Sequence, residues 1–286
     1  MKTKILRQLL NQPGIIRAPG AYDAWSARLI EMAGFPAVYL TGYGVSASVL
    51  GRPDIGLLSM TEMVTQAKNI AAAVDIPVIA DGDTGYGGTL NVVRTVFEYE
   101  RAGVAAIQLE DQVFPKRCGH MEGKQLIARE EMVSKIKAAV YARKNNEFVI
   151  IARTDARAVS GFDDAAARAQ AYVAAGADVL FFEAPQSQEE MEKIASLVNV
   201  PLLANMVEKG KTPFLPAQEL EKMGFKIVIY PVSCLYTATK AMQDVLAGLK
   251  ENDSTLQYVD RMVDFPEFNR IINLEKAREL ERKFLD

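Results

Sequence analysis

A stretch with helical spacing that ends at glycine and is followed at once by an apolar run recurs four times along the chain. EMAG precedes FPAVYL (31–40), ERAG precedes VAAIQL (ending at Leu109), VAAG precedes ADVLFF (173–182) and EKMG precedes FKIVIY (221–230). Glycine just past a last helical turn can enter the left-handed region without a Cβ penalty, so each cassette predicts a helix end and then a strand. The runs are short and almost continuously apolar, as strands covered on both faces should be. PVIA (77–80), FVIIA (148–152) and PLLA (201–204) match them, and GIIRA (14–18) is a weaker eighth because Arg17 interrupts it.

Eight strand–helix alternations without a linker predict an α/β fold, a (β/α)8 barrel of the TIM type. An open doubly wound sheet is the alternative. Residues 1–286 are expected to form a single barrel domain, the barrel covering about 14–248 and a helical tail about 252–286. Ser59 and Glu62 have capping-box spacing for a helix over 60–74, and Asp23 is placed to cap the helix before Gly34. The tail segment FNRIINLEKARELERKF has apolar residues at helical spacing, so it should pack against the barrel or a neighbouring subunit.

Composition narrows the field of functions. With 49% apolar and 24% charged residues the chain reads as a soluble globular protein. A net charge of −3 and no basic block argue against nucleic acid as a partner. The N-terminal MKTKILRQLL reads as an amphipathic helix and not a signal peptide. No apolar stretch is long enough for a membrane span, and two cysteines make no disulfide framework, so a reduced cytoplasmic setting is expected.

In a barrel of this type chemistry sits where strands end. The first polar residues after the runs are Thr41, Gly42 and Tyr43, with Asp54 further along, then Asp81 and Asp83, Glu110 and Asp111, Arg153 to Asp155, Glu183, Asn205 and Glu208, and Tyr230. Carboxylates converging on one rim repel each other and call for a cation. Oxygen ligands without paired histidines point to Mg2+, or Mn2+, and not to zinc. Arg153 ends an apolar strand and has the fork to clamp a substrate carboxylate; an ion pair with Glu110 or Glu183 is the structural alternative. Lys116-Arg117-Cys118-Gly119-His120 holds the single histidine of the chain. Two bases and a histidine beside a thiol are expected to favour the thiolate, giving a proton donor and acceptor on a mobile loop. Cys234 sits in an apolar stretch and reads as core.

The motifs TGYGVSAS (41–48), LGRPDIGLL (50–58), DGDTGYGG (81–88), LEDQVFPKRCGHMEGK (109–124), ARTDAR (152–157), FEAP (182–185) and ANMVEKGKTP (204–213) together resemble the isocitrate lyase / phosphoenolpyruvate mutase superfamily, and KRCGH resembles its lyase branch. The resemblance implies a Mg2+-dependent carbon–carbon lyase acting on a 2-hydroxy acid. It implies that Asp83 binds the metal directly while Asp54, Asp81 and Glu110 hold its waters. Arg153, Thr41 and Gly42 would bind the pyruvate-like half. His120, Glu183 and Asn205 would face the other carboxylate, and Cys118 would exchange a proton with the departing carbanion. The candidate catalytic side chains are thus Cys118, His120, Lys116, Tyr43 and Arg153, and Gly119, Thr212 and Pro231 complete the expected substrate-binding set. The resemblance also implies a homotetramer with exchanged C-terminal helices.

Within that family, methylisocitrate lyases carry an arginine where this chain has Met121 and a glycine where it has Tyr43, and oxaloacetate hydrolases a hydroxyl residue in place of Pro231. The expected substrate is therefore a 2,3-dimethylmalate or 2-alkylmalate dicarboxylate, ahead of 2-methylisocitrate. A carboxyphosphonoenolpyruvate phosphonomutase is the alternative, and a non-catalytic barrel a third reading. A Schiff-base aldolase is disfavoured because no lysine ends a strand.

Overall fold

In the computed structural model, which describes residues 1–285, each apolar run becomes one strand. These are β1 (Ile16–Ala21), β2 (Val38–Leu40), β3 (Val78–Asp81), β4 (Ala106–Glu110), β5 (Val149–Thr154), β6 (Val179–Phe182), β7 (Leu202–Asn205) and β8 (Phe225–Tyr230). Among the described residues these eight pair in parallel and in sequence order, and β1 also pairs with β8. That last pairing closes the barrel and excludes the open doubly wound sheet.

The cassette glycines do what their position requires. Gly34, Gly103, Gly176 and Gly224 have φ of +81°, +90°, +105° and +101°. Each ends or follows a helix: α2 (Ala24–Met32), α5 (Thr89–Ala102), α7 (Phe162–Ala174) and α9 (Ala217–Lys222). Asp23 caps α2 by accepting from the Ser26 N–H at 2.7 Å. The Ser59 and Glu62 capping box opens α4 (Met60–Ala73) as expected. The remaining barrel helices are α3 (Gly42–Val45), α6 (Arg129–Ala142) and α8 (Gln188–Ala195).

The N-terminal helix α1 (Lys2–Asn11) closes one mouth of the barrel. Its Leu6 and Leu10 join Ile16, Val149, Ile151, Val179 and Phe181 in the interior core. Its Arg7 pairs with Asp178 at 2.9 Å and donates to the Phe148 carbonyl, at the start of β6 and β5. The other mouth, at the strand C-termini, is left for polar groups.

Successive strand residues face opposite sides, so the inward positions can be counted off. Ile79, Ile151, Phe181 and Leu203 fill the interior, while Ala80, Ile107, Leu109 and Ala152 pack outward against helices. Two residues beyond the inward apolar positions lie Asp81, Arg153, Glu183 and Asn205. The pleat therefore aims these side chains at one rim.

The chain divides into two compact units, Met1–Leu235 and Tyr236–Asp286. The first holds all eight strands. The second carries most of α10 (Ser233–Asn252), a 3-10 turn at Leu256–Arg261, α11 (Phe265–Ile271) and α12 (Leu274–Leu285). Among the described residues no helix is long and apolar enough to cross a membrane.

Gly34 isolates the backbone cost of these turns, since a Cβ there would meet nothing within 4 Å. Gly34→Ala is expected to lower the unfolding free energy by about 1–2 kcal/mol, the penalty of a left-handed L-residue, with no change in secondary structure. Urea unfolding followed by circular dichroism measures it, and an unchanged midpoint would contradict the turn assignment.

Candidate active site

The rim is built over a polar floor. The Tyr39 hydroxyl donates to Gln108 Oε1 at 3.1 Å, and Gln108 Nε2 donates to Asp81 Oδ1 at 3.4 Å. The same Asp81 oxygen accepts the Asp83 N–H at 3.0 Å. Asp83 reaches this position with φ of +48°, a conformation in which few non-glycine residues sit. Gly42 lies directly above: a Cβ there would stand 2.7 Å from Asp81 Oδ2, so the glycine leaves that oxygen accessible. Thr41 is buried and its hydroxyl accepts the Gly44 N–H at 3.3 Å, capping the short α3 that carries half-buried Tyr43.

Lys116 crosses from the loop after β4 into this acid group. Its ammonium is 2.7 Å from both Asp54 oxygens and 2.8 Å from Asp83 Oδ1. Arg153 is spoken for on three sides. It donates twice to Asp155, at 2.9 and 3.0 Å, and stands 3.4 Å from both Glu110 and Glu183. Its guanidinium lies 5.1 Å above the Phe181 ring centroid. The structural ion pairs weighed for Arg153 thus both exist, together with a stronger one to Asp155 that the sequence reading did not include.

Cys118, Gly119 and His120 lie across these pairs. A Cβ on Gly119 would collide with Arg153 Nη2 and come within 2.7 Å of Glu183 Cδ, so only glycine fits. His120 Nδ1 accepts the Lys211 N–H at 3.1 Å, which leaves Nε2 to carry the proton, 3.3 Å from Glu183 Oε1. Asn205 Nδ2 reaches Glu183 at 3.2 Å. Burial would raise the Glu183 carboxyl, but the charge of Arg153 and the bond to His120 hold it down at about 2.

The thiolate expected at Cys118 is not what the surroundings favour. Lys116 is committed to Asp54 and Asp83, and Arg117 Nη1 to the Glu122 carbonyl at 3.0 Å, so neither cation serves the sulfur. Burial pushes the Cys118 thiol up to about 11. Cys118 stands here as a protonated group. Cys234 is half-buried and packs against the apolar core, as read from the sequence.

Among the described residues, Asp54, Asp81, Asp83, Glu110, Asp155 and Glu183 are buried with only Lys116, Lys124 and Arg153 as buried cations beside them. The charge does not balance. Burial and Asp83 together push Asp81 up to about 6, and burial holds Glu110 well above the carboxylate range. Neither Glu110 oxygen accepts a hydrogen bond, and the buried hydroxyls of Thr84 and Thr212 and the amide oxygen of Asn205 also have no partner among the described residues. No three acids, cysteines or histidines among the described residues converge as a ready metal cage, because Lys116 stands between Asp54 and Asp83. The all-oxygen donor set and the unsatisfied Glu110 carboxylate nevertheless suit a hard divalent cation.

Over residues 6–250 the sequence matches the family described as phosphoenolpyruvate phosphomutase. The chain belongs to the phosphoenolpyruvate phosphomutase family. Within it, the chain is 54% identical to the 2,3-dimethylmalate lyase of Eubacterium barkeri over 279 residues, covering 98% of this chain and 96% of that one. It is 47% identical to the 2-methylisocitrate lyase of Aeropyrum pernix over 268 residues, covering 94% and 86%. The fold superposes on oxaloacetate acetylhydrolase bound to 3,3-difluorooxalacetate with a TM-score of 0.94, at 38% identity and 99% and 96% coverage. It superposes on phosphonopyruvate hydrolase bound to oxalate and Mg2+ with a TM-score of 0.90, at 32% identity and full coverage of both chains.

In this member of the phosphomutase family the rim brings together Asp54, Asp81, Asp83, Glu110, Lys116, Gly119, His120, Arg153, Glu183 and Asn205, residues drawn from six loops or strand ends. Pro231 follows the end of β8 on the β1–β8 seam, where its carbonyl occupies the space a Cβ on Gly20 would need. Lys124 was missing from the expected site, and Asp155, expected on the rim after β5, had been given no role there. Lys124 donates to the Gly119 carbonyl and to Asp155 Oδ1, the latter at 2.8 Å.

Asp81 sets a pH dependence for the cation-free protein. Its value of about 6 in the fold lies above the ordinary 3.8. The native state therefore keeps a proton that the unfolded chain has released, and stability falls as pH rises through this window. Urea titrations without divalent cation are expected to lose roughly 2–3 kcal/mol between about pH 4 and about pH 7 from this group. Asp81→Asn should flatten that segment, and a parent-like slope in the variant would refute the assignment.

Proposed function

We propose that the protein is a Mg2+-dependent carbon–carbon lyase that cleaves a 2-hydroxy dicarboxylate of the 2,3-dimethylmalate type into pyruvate and a carboxylate. The observation that carries this reading is the laying of Cys118, Gly119 and His120 over Arg153 and Glu183, beside an acid cluster with surplus negative charge. Likeness to a 2,3-dimethylmalate lyase supports the substrate class, and the Mg2+ and oxalate held by phosphonopyruvate hydrolase support the metal.

Asp83, with Asp54, Asp81 and Glu110, would hold the metal. Bound there, it supplies Lewis-acid stabilisation of the charge on the substrate's 2-oxygen. The residues of the chain do the rest. Arg153, Thr41 and Gly42 take the carboxylate next to the hydroxyl. His120, Asn205 and the buried hydroxyl of Thr212 take the far one. Removal of the hydroxyl proton falls to Tyr43 or to a carboxylate of the cluster. The bond between C2 and C3 then breaks, C2 becomes the ketone of pyruvate, and the electron pair stays on C3. The protonated Cys118 thiol gives its proton to C3, releasing propionate from 2,3-dimethylmalate.

A homotetramer with exchanged C-terminal helices belongs to the same reading. Met242, Leu246 and Leu249 on α10 and Phe284 on α12 are exposed. A cleft of about 500 Å3 between α2 and the β1–β8 seam, lined by Leu29, Ile30, Phe35 and Cys234 among others, offers apolar surface such a helix could cover.

Turnover should vanish with EDTA and return with Mg2+ or Mn2+, and full activity in the chelated enzyme would sink the mechanism. Cys118→Ser should fold and retain pyruvate binding while losing about 100-fold or more in turnover, the usual scale of general acid–base help. Loss of pyruvate binding along with activity would instead give Cys118 a structural role.

Substrate choice turns on Met121. Met121 itself brings no charge for a third carboxylate, and of the two lysines that line its pocket, Lys124 and Lys211, the first is already held by Asp155. Side-by-side kinetics should give 2,3-dimethylmalate a higher kcat/KM than 2-methylisocitrate. A tenfold preference for the tricarboxylate, about 1.4 kcal/mol, would overturn the substrate assignment and leave the lyase chemistry standing.

A further inference from the structure

Lysine is almost never fully buried unless it is paired. The Lys124 side chain is 2% exposed and its partner Asp155 fully enclosed. Its ammonium makes two bonds of different kinds, one to the Gly119 carbonyl in its own loop and one to Asp155 on the barrel. The first closes residues 119–124 into a tight loop, which the Met121 N–H ties back to the preceding residue by donating to the Cys118 carbonyl at 2.8 Å. The second reaches the carboxylate that also grips Arg153 with two hydrogen bonds. One charge therefore joins the backbone between Cys118 and His120 to the side chain beneath them. The far end of the segment is tied separately, by Lys116 to Asp54 and by the Cys118 N–H to the Asp54 carbonyl at 3.3 Å.

We propose that Lys124 is a positioning residue, which sets the height of Cys118 and His120 above Arg153 through the Gly119 carbonyl and Asp155. Its consequence for turnover rests on the lyase reading. Its hold on the loop does not, and can be read from the accessibility of the Cys118 thiol alone.

The experiment compares the full-length protein with Lys124→Met, which keeps the length of the side chain and removes both bonds. Each is treated with iodoacetamide, and modification of Cys118 and of Cys234 is followed by mass spectrometry. A charge-assisted hydrogen bond lost from a buried loop should raise local opening, so Cys118 in the variant should react at least about tenfold faster than in the parent, with Cys234 unchanged. In steady state kcat should fall by about tenfold or more while KM shifts far less. Parent-like protection of Cys118, or equal acceleration at both cysteines, would overturn the proposal. Faster reaction of Cys118 with unchanged turnover would uphold the positioning role and count against the lyase mechanism instead. Should Lys124→Met not fold, Lys124→Gln carries the same comparison, since it keeps a donor but removes the charge.

Discussion

The site is organised by an excess of buried negative charge. Each carboxylate at the rim is out of bulk water, where an ionised group is costly unless paired. The protein answers in different ways at different places. Glu183 is held ionised by Arg153 and His120, Asp155 is gripped by Arg153 and Lys124, and Asp81 and Glu110 are pushed toward their neutral forms. This splits the rim into a satisfied half, around Arg153, and an unsatisfied half, around Asp81 and Glu110. Under the proposed lyase reading, a divalent cation would go to the second half, where the carboxylates are least compensated.

Delivering so many acids to one mouth depends on the barrel below them. The interior is apolar up to Ile79, Ile151, Phe181 and Leu203, and the next inward residue on each strand is polar. A one-residue slip in register would turn those groups outward against the helices. The β4–β5 and β5–β6 pairings leave no such slip: Glu110 sits opposite Arg153 and Arg153 opposite Phe181 in the closed sheet. The helix-ending glycines serve the same end before β2, β4, β6 and β8, since they bring the chain back to those strands without a side chain in the turn.

These features explain why so much could be read from the sequence. An apolar run after a glycine marks a strand, and the polar residue that ends the run marks the rim, so Asp81, Glu110, Arg153, Glu183 and Asn205 followed from position alone. Side-chain partners did not follow, because they are set by contacts between loops distant in sequence. Lys116 and Arg117 adjoin Cys118 along the chain, yet their charges are spent 62 residues away on Asp54 and locally on the Glu122 carbonyl. The thiolate expectation failed for that reason: adjacency in sequence says nothing about direction. Lys124 was invisible for the converse reason, since a lysine in a polar loop normally faces water and its burial depends on Asp155 being underneath.

The loop from Gln112 to Leu126 is consequently more than a lid carrying three useful residues. Its ends pair at a bridge between Gln112 and Leu126, and the Gln112 side chain binds Arg117 through both its amide oxygen and its amide nitrogen. Its two buried lysines then land on different halves of the charge cluster, Lys116 on the unsatisfied half and Lys124 on the satisfied one. Lys124 has no competitor, because Asp155 and the Gly119 carbonyl are within the protein's own network. Lys116 faces the same oxygens that a divalent cation would use, and two cations cannot both take the closest position on Asp54 and Asp83 without repulsion. The two anchors thus differ in kind. Lys124 fixes where the Cys118–His120 segment sits, while the grip of Lys116 must depend on what else occupies the acid cluster, so the loop's hold on the barrel is tied to the charge state of the rim it covers.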